Sequence, residues 1–189
     1  MCPDADLASR TITGSAQESW LLDGFAQHLG TWDVIGQQVF FARQFDSSGA
    51  GNMDAWDGYR ASRARIQQGW VDRTVRNPVV LTGDVHRSFA SNLKANYADT
   101  SSPTIGTELV CTSITSGGNG SGSTTIPNAS TNPHIRFYSD RRGYVRTTVT
   151  PTHIAADFRN VAMVTEHGGA ATTARSFVIH DGQPGLVDA

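Results

Sequence analysis

The chain has 189 residues, with 15 Lys and Arg against 17 Asp and Glu and a formal net charge of -2. That length suits one domain, or a large piece of a bigger one, and excludes more than two; the charge balance removes the basic field needed to hold nucleic acid without sequence preference or to bind an anionic membrane. Charged residues are 17% and hydrophobic ones 38%, a charge content below that of an average soluble domain, so the composition is β-rich and loop-rich yet able to bury a core.

Residues 1–14 are expected to be loose, as chain ends often are. Cys2 and Cys111 are the two cysteines, far apart and without a CxxC pair, which leaves a disulfide between them, and the redox compartment, open. No run reaches the roughly 20 apolar residues that span a bilayer, and the beginning of the chain lacks the basic-then-apolar pattern of a signal peptide.

The segment SAQESWLLDGFAQHLG predicts a helix. Ser15 and Glu18 have capping-box spacing, Leu22, Phe25 and Leu29 share one face, and Gly30 is placed to end it. TWDVIGQQVFFARQ reads as a half-buried strand. Residues 58–75 read as a second helix, with Tyr59, Ile66 and Trp70 on the packed side and Arg60, Arg63, Arg65 and Arg73 mostly solvated. Pro78 to Thr82 is a short apolar run of the kind that forms a strand covered on both faces, and it ends in Gly83-Asp84-Val85-His86. Beyond it the pattern turns to strands, in SFASNLKANY, TIGTELVCTSI, IRFYSD, GYVRTTVT, IAADFRNV and RSFVIHD. Residues 116–133 carry almost no apolar side chain and predict a long surface loop, while the stretches around Asp140-Arg141-Arg142-Gly143 and Asp181-Gly182 predict turns between antiparallel strands.

Several common chemistries lack their signatures. There is no GxSxG elbow, no GxxxxGK[ST] phosphate loop and no GxGxxG between a strand and a helix. The strongest constellation is LTGDVHRS, where a buried strand delivers Asp84 and His86 at its carboxyl end, the edge on which open α/β sheets build their sites. A carboxylate with an imidazole suits a hard or borderline metal ion; the structural alternative is a turn-capping Asp84 and a His86 that satisfies a buried hydrogen bond. NMDAWDGYRASR supplies a second pair, Asp54 and Asp57, just before the second helix. Asp57 is equally placed to be that helix's N-cap. Together the groups offer three carboxylates and one imidazole, a set suited to Ca²⁺, Mn²⁺ or Fe rather than to a structural zinc, and such a centre suits phosphoester hydrolysis.

These motifs, in this order, resemble the PhoD-like branch of the metallophosphatases, which are secreted alkaline phosphatases and phosphodiesterases. The likeness runs through TITGSAQESWLLDGF, WDVIGQQVFFA, NMDAWDGYRASRARI, NPVVLTGDVHRSFASNL, GTELVCTSITSGG and NPHIRFYSDRRGYVRTTVTP. It implies an α/β (α+β) fold of two stacked sheets flanked by helices, Ca²⁺ and Fe³⁺ as cofactors with other divalent metals as candidates, and hydrolysis of phosphate monoesters or diesters. Carried over residue by residue, it makes Asp84 and His86 the catalytic and metal-site residues and adds Asp54 and Asp57 as metal ligands. Ser113 and Ser116 become wall residues, and His134, Arg141 and Arg142 divide between structure and the site rim. The chain resembles only the C-terminal half of such an enzyme, one partial domain over residues 1–189. The family's amino-terminal segment, with its Cys, further Asp, Tyr and Asn ligands and its twin-arginine signal, finds no counterpart in this sequence, and Cys2 is not expected to be its missing ligand. Activity of the chain alone is therefore expected to be poor, and secretion or a periplasmic location is implied by the family. The rival from another class is a noncatalytic β-rich binding or structural module in which GDVH is a turn.

Overall fold

The computed structural model describes residues 3–189. Cys2, and with it the pairing question, lies outside them; among the described residues Cys111 has no disulfide partner, and its thiol lies beside the carbonyl of Thr112. The chain runs α1 (Ser15–Phe25), β1 (Asp33–Gly36), α2 (Arg60–Asp72), β2 (Pro78–Thr82), β3 (Ser88–Lys94), β4 (Thr104–Val110), β5 (Ile135–Ser139), β6 (Gly143–Val149), β7 (His153–Val161), β8 (Ala171–His180) and β9 (Gln183–Asp188). The first sheet has the order β1-β2-β4-β3-β5 and the second is the meander β6-β7-β8-β9. β1, β2 and β4 run parallel, whereas β3 pairs antiparallel with both β4 and β5. Among the described residues no helix is long and apolar enough to cross a membrane.

The period of two along a strand explains the layering. Neighbouring residues on the first sheet point to opposite faces. Val80, Phe89, Val110 and Tyr138 join the helix-side core with Phe25, Phe41, Ile66 and Trp70. Val79, Ala90, Leu109 and Phe137 meet Ile154, Phe158, Phe177 and Ile179 of the second sheet. A sheet buried on both faces needs near-continuous apolar strands, which is why PVVLT reads as it does. Each fully buried aromatic or aliphatic side chain here contributes about 1.5–3 kcal/mol relative to exposure. Polar pins fix the layers laterally: Trp32 Nε1 donates to the Thr150 carbonyl at 2.7 Å, and Asn92 Oδ1 accepts from Leu186 N at 2.9 Å. The two helices approach closely at Gly69, where a Cβ would stand 2.5 Å from Leu22 Cδ2.

The two-sheet α/β architecture expected from the sequence is the one observed, with local corrections. α1 ends at Phe25, so Leu29 lies beyond the helix and is exposed. No side chain caps its start; Glu18 is drawn away by Ser62 Oγ (2.6 Å) and an ion pair with Arg65. Arg63 is buried rather than solvated. The strand expected over residues 31–44 stops at Gly36, and Phe40, Phe41 and Ala42 form a buried loop instead. Residues 3–14, expected to be loose, are tied down: Pro3–Asp6 form a 3-10 turn, Arg10 Nε donates to Gly58 O at 2.9 Å, and Asp6 pairs with Arg60. The 140–143 stretch carries the chain from β5 in one sheet to β6 in the other rather than closing a hairpin. Asp181-Gly182 does join the antiparallel pair β8 and β9, and β9 itself is absent from the sequence-based reading.

Candidate functional site

The site is built on the carboxyl end of β2. Cys111 N donates to Thr82 O at 2.8 Å, and Gly83 N donates to Gln38 O at 3.1 Å, so the strand is held to its last residue. Beneath it lies Glu108, fully buried on β4. Its carboxylate accepts from Phe41 N and Ala42 N, both at 2.8 Å, and from Thr82 Oγ1 at 2.6 Å. Gln37 extends this network, donating to Thr82 Oγ1 and accepting from Trp56 Nε1. The backbone donors of a buried, non-strand segment must be paired, and one carboxylate does it for two of them. Burial pushes the Glu108 carboxyl up to about 6, against the lowering pull of Thr82, the two backbone N–H groups and Arg63.

Past Gly83 the backbone leaves the pleat sharply. Val85 N donates to Gly83 O at 2.9 Å, closing a γ-turn on Asp84 (φ 69°), and His86 follows at φ 53°. Positive φ at two non-glycine residues is costly, on the order of 1 kcal/mol each, and such strain gathers at functional sites. Both side chains are exposed, and neither makes a hydrogen bond or ion pair with any described residue. A carboxylate and an imidazole thus stand free on a strained loop whose backbone is fixed.

The second pair is different. Asp57 is 2% exposed, and its two oxygens are committed: Oδ1 to Arg63 Nη1 at 2.8 Å, Oδ2 to Gln44 N at 2.8 Å. It does not cap α2, whose N-cap position is Tyr59 without a side-chain bond. Asp54 is exposed on the preceding loop, its amide bonded to Asn52 Oδ1. No interaction joins Asp54 or Asp57 to Asp84 or His86, and among the described residues no group of three or more His, Cys, Asp or Glu is close enough to hold a metal ion. The four residues expected around one cation are therefore not gathered by this chain.

The other residues singled out in the sequence have structural partners. Ser113 Oγ donates to Ser116 O at 2.9 Å. His134 is buried with Nε2 donating to Arg43 O at 2.7 Å, and burial pulls its imidazole down to about 4. Arg141 Nη1 donates to Ala162 O. Arg142 is buried between the loops. Its Nη1 donates to the His86 carbonyl, its Nε to Gly118 O at 2.9 Å and its Nη2 to Asp140 O at 2.9 Å. Glu108 is the supporting group that sequence reasoning missed, although it had a signal, a carboxylate inside the apolar strand TELV. Arg142, which the sequence divided between structure and the site rim, makes structural bonds, two of them to acceptors far away in sequence, His86 O and Gly118 O.

A sequence model of the PhoD-like phosphatase family matches residues 1–158. Alkaline phosphatase D of Bacillus subtilis (strain 168) is 46% identical over 183 residues, covering 94% of this chain and 31% of the relative. A solved structure of PhoD matches with a TM-score of 0.93 at 43% identity, covering 100% of this chain, β8 and β9 included, and 37% of that one. The chain spans about a third of the length of these relatives. With the family match running through both helices, the whole first sheet and the strained loop after β2, the chain belongs to the PhoD-like phosphatase family.

Proposed function

We propose that residues 1–189 form part of the catalytic domain of a metal-dependent phosphoesterase acting on phosphate monoesters or diesters, with Asp84 and His86 contributing to its metal centre. The observation that carries this reading is the free carboxylate and imidazole on the strained loop after β2, in a chain of this family. Their chemistry fits a hard or borderline cation such as Ca²⁺ or Fe³⁺, and because a Ca²⁺ ion takes six to eight oxygen ligands, the rest of the set would come from solvent and from the remaining part of the family enzyme. Bound metal would polarise the phosphoryl group and activate a water. In this reading Asp84 and His86 present ligand atoms from a backbone that cannot drift, exposed Asp54 remains a candidate for the periphery of the centre, and Asp57 is assigned to folding because both its oxygens are already bonded.

The remaining part of the family enzyme is the natural partner, and the β1 edge is where it would dock. β1 is the outer strand of the first sheet, with no neighbour on its far side among the described residues. Val34 on it is 48% exposed and Trp20 on α1 is 71% exposed. Both line a cleft of about 1080 Å³ between α1 and β1. An unpaired edge beside exposed apolar side chains is a surface built to be covered. Export beyond the cytoplasm belongs to the same reading.

The decisive experiment mixes this chain with the amino-terminal portion of the Bacillus subtilis relative that it does not cover, adds Ca²⁺ and Fe³⁺, and follows a chromogenic phosphodiester. Copurification reports assembly separately from turnover. Hydrolysis is expected, and Asp84→Ala and His86→Ala should each lower it by at least about 100-fold. An assembled complex without hydrolysis favours the noncatalytic module, which the lack of a third ligand among the described residues also fits.

A further inference from the structure

Among the described residues the buried guanidinium of Arg142 makes no ion pair with a carboxylate. It is 5% exposed and is satisfied instead by carbonyls and hydroxyls from three separate loops. Nη1 meets the His86 carbonyl and lies 3.4 Å from Thr112 Oγ1 and 3.3 Å from Ser113 Oγ. Nε meets Gly118 O, where a left-handed glycine (φ 67°) turns the carbonyl inward, and Nη2 meets Asp140 O. A guanidinium has five N–H donors, and this set leaves little donor capacity for a substrate. Phosphate binding is therefore not its task.

We propose that Arg142 is a positioning residue that holds His86 in its left-handed conformation and locks the loop after β2 to the loop after β4. The inference rests on reading Asp84 and His86 as metal-site residues. A strained backbone persists only where its surroundings over-determine it. Upstream, the loop is held by Thr82 and Gly83 in the sheet; downstream, the Arg142 contact is the side-chain bond that reaches the His86 carbonyl. A lysine keeps the charge but, as a point donor on a flexible stem, cannot span three loops.

The test uses the ¹⁵N-labelled 189-residue chain. In the unaltered protein the Arg142 Nε–H should exchange with solvent at least about tenfold more slowly than that of Arg76, whose side chain is 64% exposed. Arg142→Lys should shift the His86 imidazole signals and raise by about tenfold the Mn²⁺ concentration that broadens them, the usual loss when a group supporting a ligand is altered. Rapid exchange of Arg142 overturns the proposal even if the variant does not fold. Unchanged His86 signals in a folded Arg142→Lys protein overturn it as well. If Mn²⁺ never broadens His86 in the unaltered chain, the exchange rate and the His86 shift still decide the positioning role.

Discussion

Two short segments, residues 54–57 and 83–86, each offer two candidate ligands in sequence, a pair of carboxylates in one and a carboxylate with an imidazole in the other, and Asp57 and the Asp84–His86 pair meet opposite fates in the fold. Around Asp57 every valence is closed: a buried ion pair with Arg63, a backbone donor from Gln44, and Arg63 in turn bonded to Phe41 O and lying over the Tyr97 ring. Around Asp84 and His86 the backbone is tightly held while the side chains are left open. A carboxylate already neutralised inside a protein stabilises the fold; one held in place without a partner is available to something else. The distinction is electrostatic and nonlocal.

The largest effect that would break the contrast is expected at Asp57. Asp57→Ala strands a buried guanidinium and should cost about 3–5 kcal/mol in urea unfolding. A variant that kept its stability, while the assembled enzyme lost metal, would move Asp57 from the fold to the site. Next comes His134, in the same closed region beside Arg43, Arg63 and Lys94. Its folded value of about 4 lies below the ordinary 6.5, so its contribution is complete above pH 6.5 and is lost as pH falls toward 4, by about 3 kcal/mol. Glu108 has the opposite sign: raised from 4.5 to about 6, it favours folding as pH falls through that window, by about 2 kcal/mol. His134→Gln keeps a donor for Arg43 O, and its loss of stability between pH 7 and pH 4 should be smaller than that of the parent by about 3 kcal/mol, read from urea midpoints. The smallest effect belongs to the open loop. Asp84→Gly relieves the positive φ and should raise stability by about 1 kcal/mol while abolishing phosphoester hydrolysis by the assembled enzyme; a loss of stability there would show that the Asp84 side chain supports the fold.

Local signals made much of this legible. The apolar run before Gly83 located the doubly covered strand and the loop that carries Asp84 and His86, and the period of Ile66 and Trp70 located α2. Misreadings arose where a distant partner decided the outcome. Glu18 had capping spacing, but Arg65 and Ser62 claimed it. Phe40–Ala42 had strand composition, but Glu108 gave the amides of Phe41 and Ala42 a partner outside any ladder. Pro184 and Gly185 disguised β9, an edge strand where both are tolerated. Arg63, read as a solvated helix residue, is buried because Asp57, in the turn that precedes α2, neutralises its guanidinium.

Arg142 also occupies the crossing where the backbone passes from one β-layer to the other. Any sliding of the meander over its companion would pull on the His86 carbonyl, so the mutual alignment of the layers and the aim of the imidazole are mechanically one quantity. If His86 holds a metal ion as proposed, substitutions deep between the layers, remote from any ligand atom, should register as changes in cation affinity.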